Sequence, residues 1–176
     1  MLKRTALAAF LFILIAGCAQ QQSPTELWKQ GMEFTEQEKY DQALDSFKQL
    51  VNTENLSDTL EAKANFTLAD LYLNHFKKYQ DALKHYRFVA ENYPATKWGP
   101  KSQFMIGYMF ANYINDYNKA RQEYQHFLDI YPTDDLAEAV NFEISHLGKS
   151  LDDLDFIPSA DSLGGMQSMT TGGQDK

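Results

Sequence analysis

Apolar and small positions along this chain repeat every 38 residues. Trp28, Phe66, Phe104 and Phe142 form an aromatic column at that spacing, and three residues after each comes a small one: Gly31, Ala69, Gly107 and Ser145. In the second and third copies the match runs through the whole unit. Tyr79-x-x-Ala82-x-x-x-Tyr86 and Asn92-Tyr93-Pro94 return as Tyr117-x-x-Ala120-x-x-x-Tyr124 and Ile130-Tyr131-Pro132. The first copy carries Tyr40-x-x-Ala43-x-x-x-Phe47, displaced by one residue, which implies a shorter turn inside that unit. A period of this size marks a stacked repeat architecture, in which each unit buries its apolar face only against its neighbours.

The elements follow from that pattern. A first helix in each unit is expected at 25–37, 58–75, 98–114 and 134–148, and a second at 41–53, 79–92 and 118–130. Gly31, Ala69 and Gly107 let the first helix approach the second, and Ala43, Ala82 and Ala120 do the same from the other side. Tyr40, Tyr79 and Tyr117 open the second helix with a bulky plug. Pro94 and Pro132 cannot continue a helix, so each closes its unit, and Asn55 stands in that place in the first. Pro100 suits the first turn of a helix. The segment 134–148 pairs apolar Ala137, Val140, Phe142 and Ile144 with polar Glu138, Asn141 and Glu143, as a helix covering the open end requires.

Small residue, turn, aromatic, alanine, aromatic and closing proline together resemble the tetratricopeptide repeat (TPR), whose usual period is about 34. The resemblance covers residues 24–148. It implies an all-α, TPR-type right-handed helical solenoid of about three helix pairs plus a C-terminal capping helix.

The N-terminus has a different character. Lys3 and Arg4 lead into an apolar run from Ala6 to Ala16, the shape of a secretory signal. The run is about 11 residues long, short of the roughly 20 that span a bilayer. It ends Leu14-Ile15-Ala16-Gly17-Cys18, which resembles the bacterial lipobox, with Ile15 where leucine is more usual. An ordinary signal peptide is the alternative. The lipobox implies that residues 1–17 are removed and that Cys18, a thiol suited to acyl-lipid transfer, becomes the lipidated (palmitate-bearing) N-terminus. Residues 18–24 then form a short tether. By resemblance to Gram-negative lipoproteins, Ala19, a residue other than aspartate at that place, permits sorting to the outer membrane, where the body would face the periplasm.

Composition narrows the chemistry. Cys18 is the one cysteine, so neither an intramolecular disulfide nor a cysteine metal site can form. Loss of residues 1–17 removes Lys3 and Arg4, leaving 14 basic against 24 acidic residues, a net −10, which disfavours nucleic acid. His75, His85, His126 and His146 fall in expected helices with no i, i+4 pair for a metal. No phosphate loop, nucleophile elbow or dinucleotide fingerprint occurs. Asp134-Asp135 and Asp152-Asp153 read as helix starts or solvated acid. No catalytic residue, metal or cofactor is expected, and the chain does not read as an enzyme.

Residues 149–176 form a tail, first acidic (KSLDDLDFI, 149–157), then rich in Ser, Gly, Gln, Thr and Met. The second part lacks the apolar surface to offset its ordering entropy and is expected to be disordered. Leu151, Leu154, Phe156 and Ile157 either pack on the last helix or form a short helix presented to a partner.

Candidate partner-binding residues come from the aromatic column and the third unit. Phe66 and Phe104 are either the seam between successive units or the lining of a groove for apolar or peptide ligands. Tyr108, Asn112, Tyr113 and Asn115 are groove candidates because tyrosine and asparagine offer hydrogen bonds to a peptide backbone. The lipobox together with units closing on Tyr-Pro resembles the BamD-like outer-membrane-assembly lipoproteins, and the Tyr-Pro units also resemble the periplasmic TPR protein associated with the Tol-Pal envelope system. These resemblances imply a non-catalytic scaffold or adaptor in outer-membrane protein assembly or envelope maintenance. Its partners would be envelope proteins or peptide segments, with the membrane engaged through the N-terminal lipid. The other reading is a chaperone-like carrier of apolar segments of exported polypeptides.

Overall fold

The computed structural model describes residues 22–149. Seven α-helices run in chain order: α1 (Pro24–Glu36), α2 (Tyr40–Val51), α3 (Asp58–Leu71), α4 (Tyr79–Asn92), α5 (Trp98–Met109), α6 (Tyr117–Ile130) and α7 (Ala137–His146). α3 and α5 continue into π-helical turns at Tyr72–Phe76 and Phe110–Ile114. Each helix packs on the next, and α3 also touches α5. The described chain is an all-α TPR-type solenoid of three helix pairs closed by a seventh helix. The expected signal peptide, Cys18 and the tail from residue 150 lie outside the described residues. Among the described residues no helix is long and apolar enough to cross a membrane.

Local chemistry sets the helix ends. At the start of α1 the Ser23 hydroxyl accepts from the Glu26 N–H at 3.3 Å, while the Glu26 carboxylate accepts from the Ser23 N–H at 2.9 Å. That reciprocal box, with Pro24 at the first helical position, satisfies donors that an open helix end leaves bare. Ser57 caps α3 and Asp116 caps α6 in the same sense.

Packing within a unit sets a small residue against a large ring. A Cβ built on Gly31 would lie 2.7 Å from the Phe47 ring, and one on Gly107 would lie 2.6 Å from that of Tyr124. Phe47, Tyr86 and Tyr124 are fully buried, as are Ala43, Ala82 and Ala120 one turn earlier. Each such ring contributes on the order of 2–3 kcal/mol by leaving water.

Three expectations change. The one-residue displacement of the first unit does not arise in the turn between its helices. There the Phe34 carbonyl accepts from the Lys39 N–H, five residues on, at 2.8 Å. In the later units the Tyr72 and Phe110 carbonyls accept from Lys78 and Asp116, six residues on, at 2.9 Å each. The extra residue sits inside the π-turn that ends the first helix, so the helices expected at 58–75 and 98–114 are α-helical only to Leu71 and Met109. The final helix is shorter than 134–148, because the Asp134 carboxylate and carbonyl accept from the N–H groups of Leu136 and Ala137 and hold a turn ahead of it. Of its apolar residues Val140 is fully buried, whereas Phe142 is 51% exposed and stacks on His146 of its own helix, ring centroids 4.0 Å apart.

Candidate interaction groove

α1, α3 and α5 share one side of the row and bound an open cavity of about 390 Å³. Its walls are Trp28, Met32 and Thr35 from α1, then Lys63, Thr67, Asp70 and Leu71 from α3. Asn74 and His75 from the first π-turn and Trp98 from the start of α5 complete it. The chain has two tryptophans, and both stand in this wall.

The electrostatics are divided between rim and floor. Lys63 Nζ lies 3.7 Å over the Trp28 ring, and Lys97 and Lys101 lie 5.2 and 5.3 Å from the Trp98 ring centre. These cation–π contacts hold three positive charges around the opening. Deeper in, the Tyr86 hydroxyl donates to the Asp70 carboxylate. Burial pushes the Asp70 carboxyl above its ordinary value, against the opposing pull of that hydrogen bond. Burial, reinforced by Asp70, also pushes the Tyr86 phenol up, so the pair holds its proton on the tyrosine. An apolar wall with a basic rim suits a peptide that inserts apolar side chains and leaves acidic ones outside.

The structure distributes the expected site residues unevenly. Phe104, Tyr108 and Tyr113 form a ladder of rings with centroids 6.1 Å apart at each step, and Tyr113 meets Tyr79 at 5.3 Å. Asn112 is exposed beside them, its amide donating to the Tyr108 carbonyl at 3.0 Å. Phe66 lies one unit away between Tyr86, at 5.3 Å, and Trp98, at 5.0 Å. Its ring therefore backs the Trp98 wall from the joint between units. Moved back by 38 residues, Tyr108, Asn112 and Tyr113 fall on Asp70, Asn74 and His75, which line the cavity. The two sets thus occupy one side of the solenoid. Met32, Asp70, Asn74, His75 and Trp98 were not singled out from the sequence, and that transposition was the signal that finds three of them.

A larger cavity, about 730 Å³, lies between α4, the second π-turn and α6. Two of its cations are engaged, Arg87 with Glu123 at 2.6 Å and Lys119 with Asp116 at 3.8 Å, and both stand over Phe110, while Lys84 forms no ion pair among the described residues. It is better read as a joint between units. Among the described residues no group of three His, Cys, Asp or Glu is placed to hold a metal ion.

The tetratricopeptide repeat family model matches residues 101–134, which span most of α5, its π-turn and α6. No curated protein matches the chain. TPR repeats generally bind protein partners and are typically non-catalytic, so the matched repeat suggests a protein–protein interaction scaffold.

Proposed function

We propose that the chain is a cell-envelope lipoprotein, held at the outer membrane through Cys18, which grips a segment of an envelope protein in the groove of α1, α3 and α5. The observation that carries the scaffold reading is the cavity walled by both tryptophans, with Asp70 inside and lysines at its opening. The anchor rests on the lipobox ending at Cys18. A place in outer-membrane protein assembly or envelope maintenance rests on the similarity to the BamD-like and Tol-Pal-associated groups. Several acyl chains, at about 0.8 kcal/mol per buried CH₂, would hold the protein firmly, and the short tether keeps the groove near the membrane surface.

The test is positional. A photo-crosslinker placed at Met32 or Asn74, in cells, should give a discrete adduct with an envelope protein. The same group at Gln122, exposed on α6, should not. Equal yields from all three positions, or none, would remove the groove from the proposal. Cys18→Ser should move the protein from the membrane to the soluble fraction without changing its helicity.

A further inference from the structure

The three lysines at the opening of the α1–α3–α5 groove have no acid beside them. Ion pairs among the described residues join Lys29 to Glu33, Arg87 to Glu123 and Lys119 to Asp116, and none of them includes Lys63, Lys97 or Lys101. Each of the three lies instead against a tryptophan, Lys63 on Trp28 and the other two on Trp98. A lysine resting on an indole face keeps its ammonium in water while its stem is held, so part of the entropy lost on pairing is already spent. The result is a locally positive rim on a chain of net charge −8. The one carboxylate among the described wall residues, Asp70, accepts from the Tyr86 hydroxyl. Burial tilts it toward its uncharged form, so it opposes an incoming acid less than an exposed aspartate would.

We propose that the segment gripped by this groove is an acidic stretch around one aromatic anchor, whose ring enters between Trp28 and Trp98 while flanking carboxylates meet Lys63, Lys97 and Lys101. The inference rests on the groove reading above and adds the chemistry of the occupant. The volume suits it: about 390 Å³ lies near the lower end of the roughly 300–1,000 Å³ of ligand pockets, room for one large side chain and its adjoining backbone. Tryptophan and lysine also meet at anionic bilayer surfaces, where the rings must protrude to reach the headgroups. Here both indoles wall a concavity and are packed from behind, Trp28 on Phe47 and Trp98 on Phe66, with centroids 5.2 and 5.0 Å apart. A flat membrane cannot enter that space, whereas a side chain of a polypeptide can.

Tryptophan emission of the full-length chain in detergent reads the groove directly, because both tryptophans stand in its wall. The probes are three synthetic peptides without tryptophan. One carries a phenylalanine flanked on each side by two glutamates, the second has glutamine for every glutamate, and the third has serine for the phenylalanine. The acidic phenylalanine peptide should change the emission and bind about tenfold tighter than its glutamine counterpart, from exposed ion pairs at roughly two- to threefold each. That advantage should shrink in high salt. The serine peptide should bind at least about tenfold more weakly than its phenylalanine parent. Combining Lys63→Gln, Lys97→Gln and Lys101→Gln should lower the acidic peptide to the affinity of the glutamine one, with helicity unchanged. Equal affinities for the two in the wild type would overturn the acid preference and leave the groove standing, since the adducts at Met32 and Asn74 test the groove separately. An acid preference that survives the triple substitution would overturn the assignment to these lysines. Silence with all three peptides would overturn the proposal, and an emission change with phosphatidylglycerol vesicles in that case would assign the rim to a bilayer instead.

Discussion

Gly107 faces Tyr124 so closely that a Cβ built on it would stand 2.6 Å from two ring carbons. Tyr124 is fully buried. Gly107→Ala gains up to about 1 kcal/mol in helix propensity. It also forces an overpacked contact costing about 1–3 kcal/mol, and the clash wins. The urea midpoint should fall by the equivalent of about 1–2 kcal/mol, and Gly31→Ala should behave alike against Phe47. A midpoint that rises in Gly107→Ala would mean that the two helices of the unit separate easily.

Lys77 ends the first π-turn in the left-handed conformation, at φ 54°. A lysine there carries the clash between Cβ and the following carbonyl, about 1–2 kcal/mol, which glycine escapes. Lys77→Gly should therefore raise thermal stability by about 1 kcal/mol after the extra chain entropy of glycine is subtracted. Asn115→Gly, at the matching φ of 59°, should gain less, because asparagine tolerates this region. Paired melting curves decide it: equal gains at the two sites would contradict the argument.

The repeat, its small-against-large contacts and the number of helices were legible because each depends on residue types at fixed spacing. Gly31, Ala43 and Phe47 say nearly all that matters about packing inside a unit. The π-turns were not legible. A shift from i, i+4 to i, i+5 bonding over one turn leaves the apolar stripe intact, and its trace was the one-residue offset of Tyr40, which fits a shorter loop equally well. The groove was half legible. Tyr108, Asn112 and Tyr113 could be chosen for their chemistry, but Trp28 and Trp98 meet in one wall across 70 residues of sequence. That meeting depends on how units stack. Phe66 shows the same limit: its column position was visible, but its place between Tyr86 and Trp98 belongs to the fold.

Asp70 gives the groove a pH dependence whose sign is fixed. Its folded-state pKa is raised by burial, so the protonated form is the one folding favours. The associated stability is complete below the ordinary aspartate pKa and is lost as pH rises through the raised value. Asp70→Asn keeps an acceptor for the Tyr86 hydroxyl and removes the titration. The variant should match or exceed the wild type in stability at neutral pH, with the difference shrinking as pH falls toward 4. Denaturation at several pH values measures that difference directly. A gap that instead widens on acidification would show that Asp70 is stabilised as the anion, by more than the one hydroxyl.

Glu123 joins three helices and supplies the sharpest test of how units are coupled. Its Oε1 accepts from Arg87 of α4 at 2.6 Å, and its Oε2 accepts from the Gln103 amide of α5 at 3.0 Å. Gln103 is buried and also donates to the Glu123 carbonyl, whereas the Arg87 side chain is 42% exposed. Losing the carboxylate therefore hurts mainly at the buried amide, since arginine can return to water. Glu123→Ala should cost about 1.5–3 kcal/mol, the range for a hydrogen bond to a charged group. Arg87→Ala should cost less than about 1 kcal/mol, as for other partly exposed pairs, and its effect should shrink in high salt. A double-mutant cycle should then give a coupling of about 0.5–1 kcal/mol between α4 and α6. Zero coupling at low salt would mean that the Arg87–Glu123 pair does not help to hold the second and third units together.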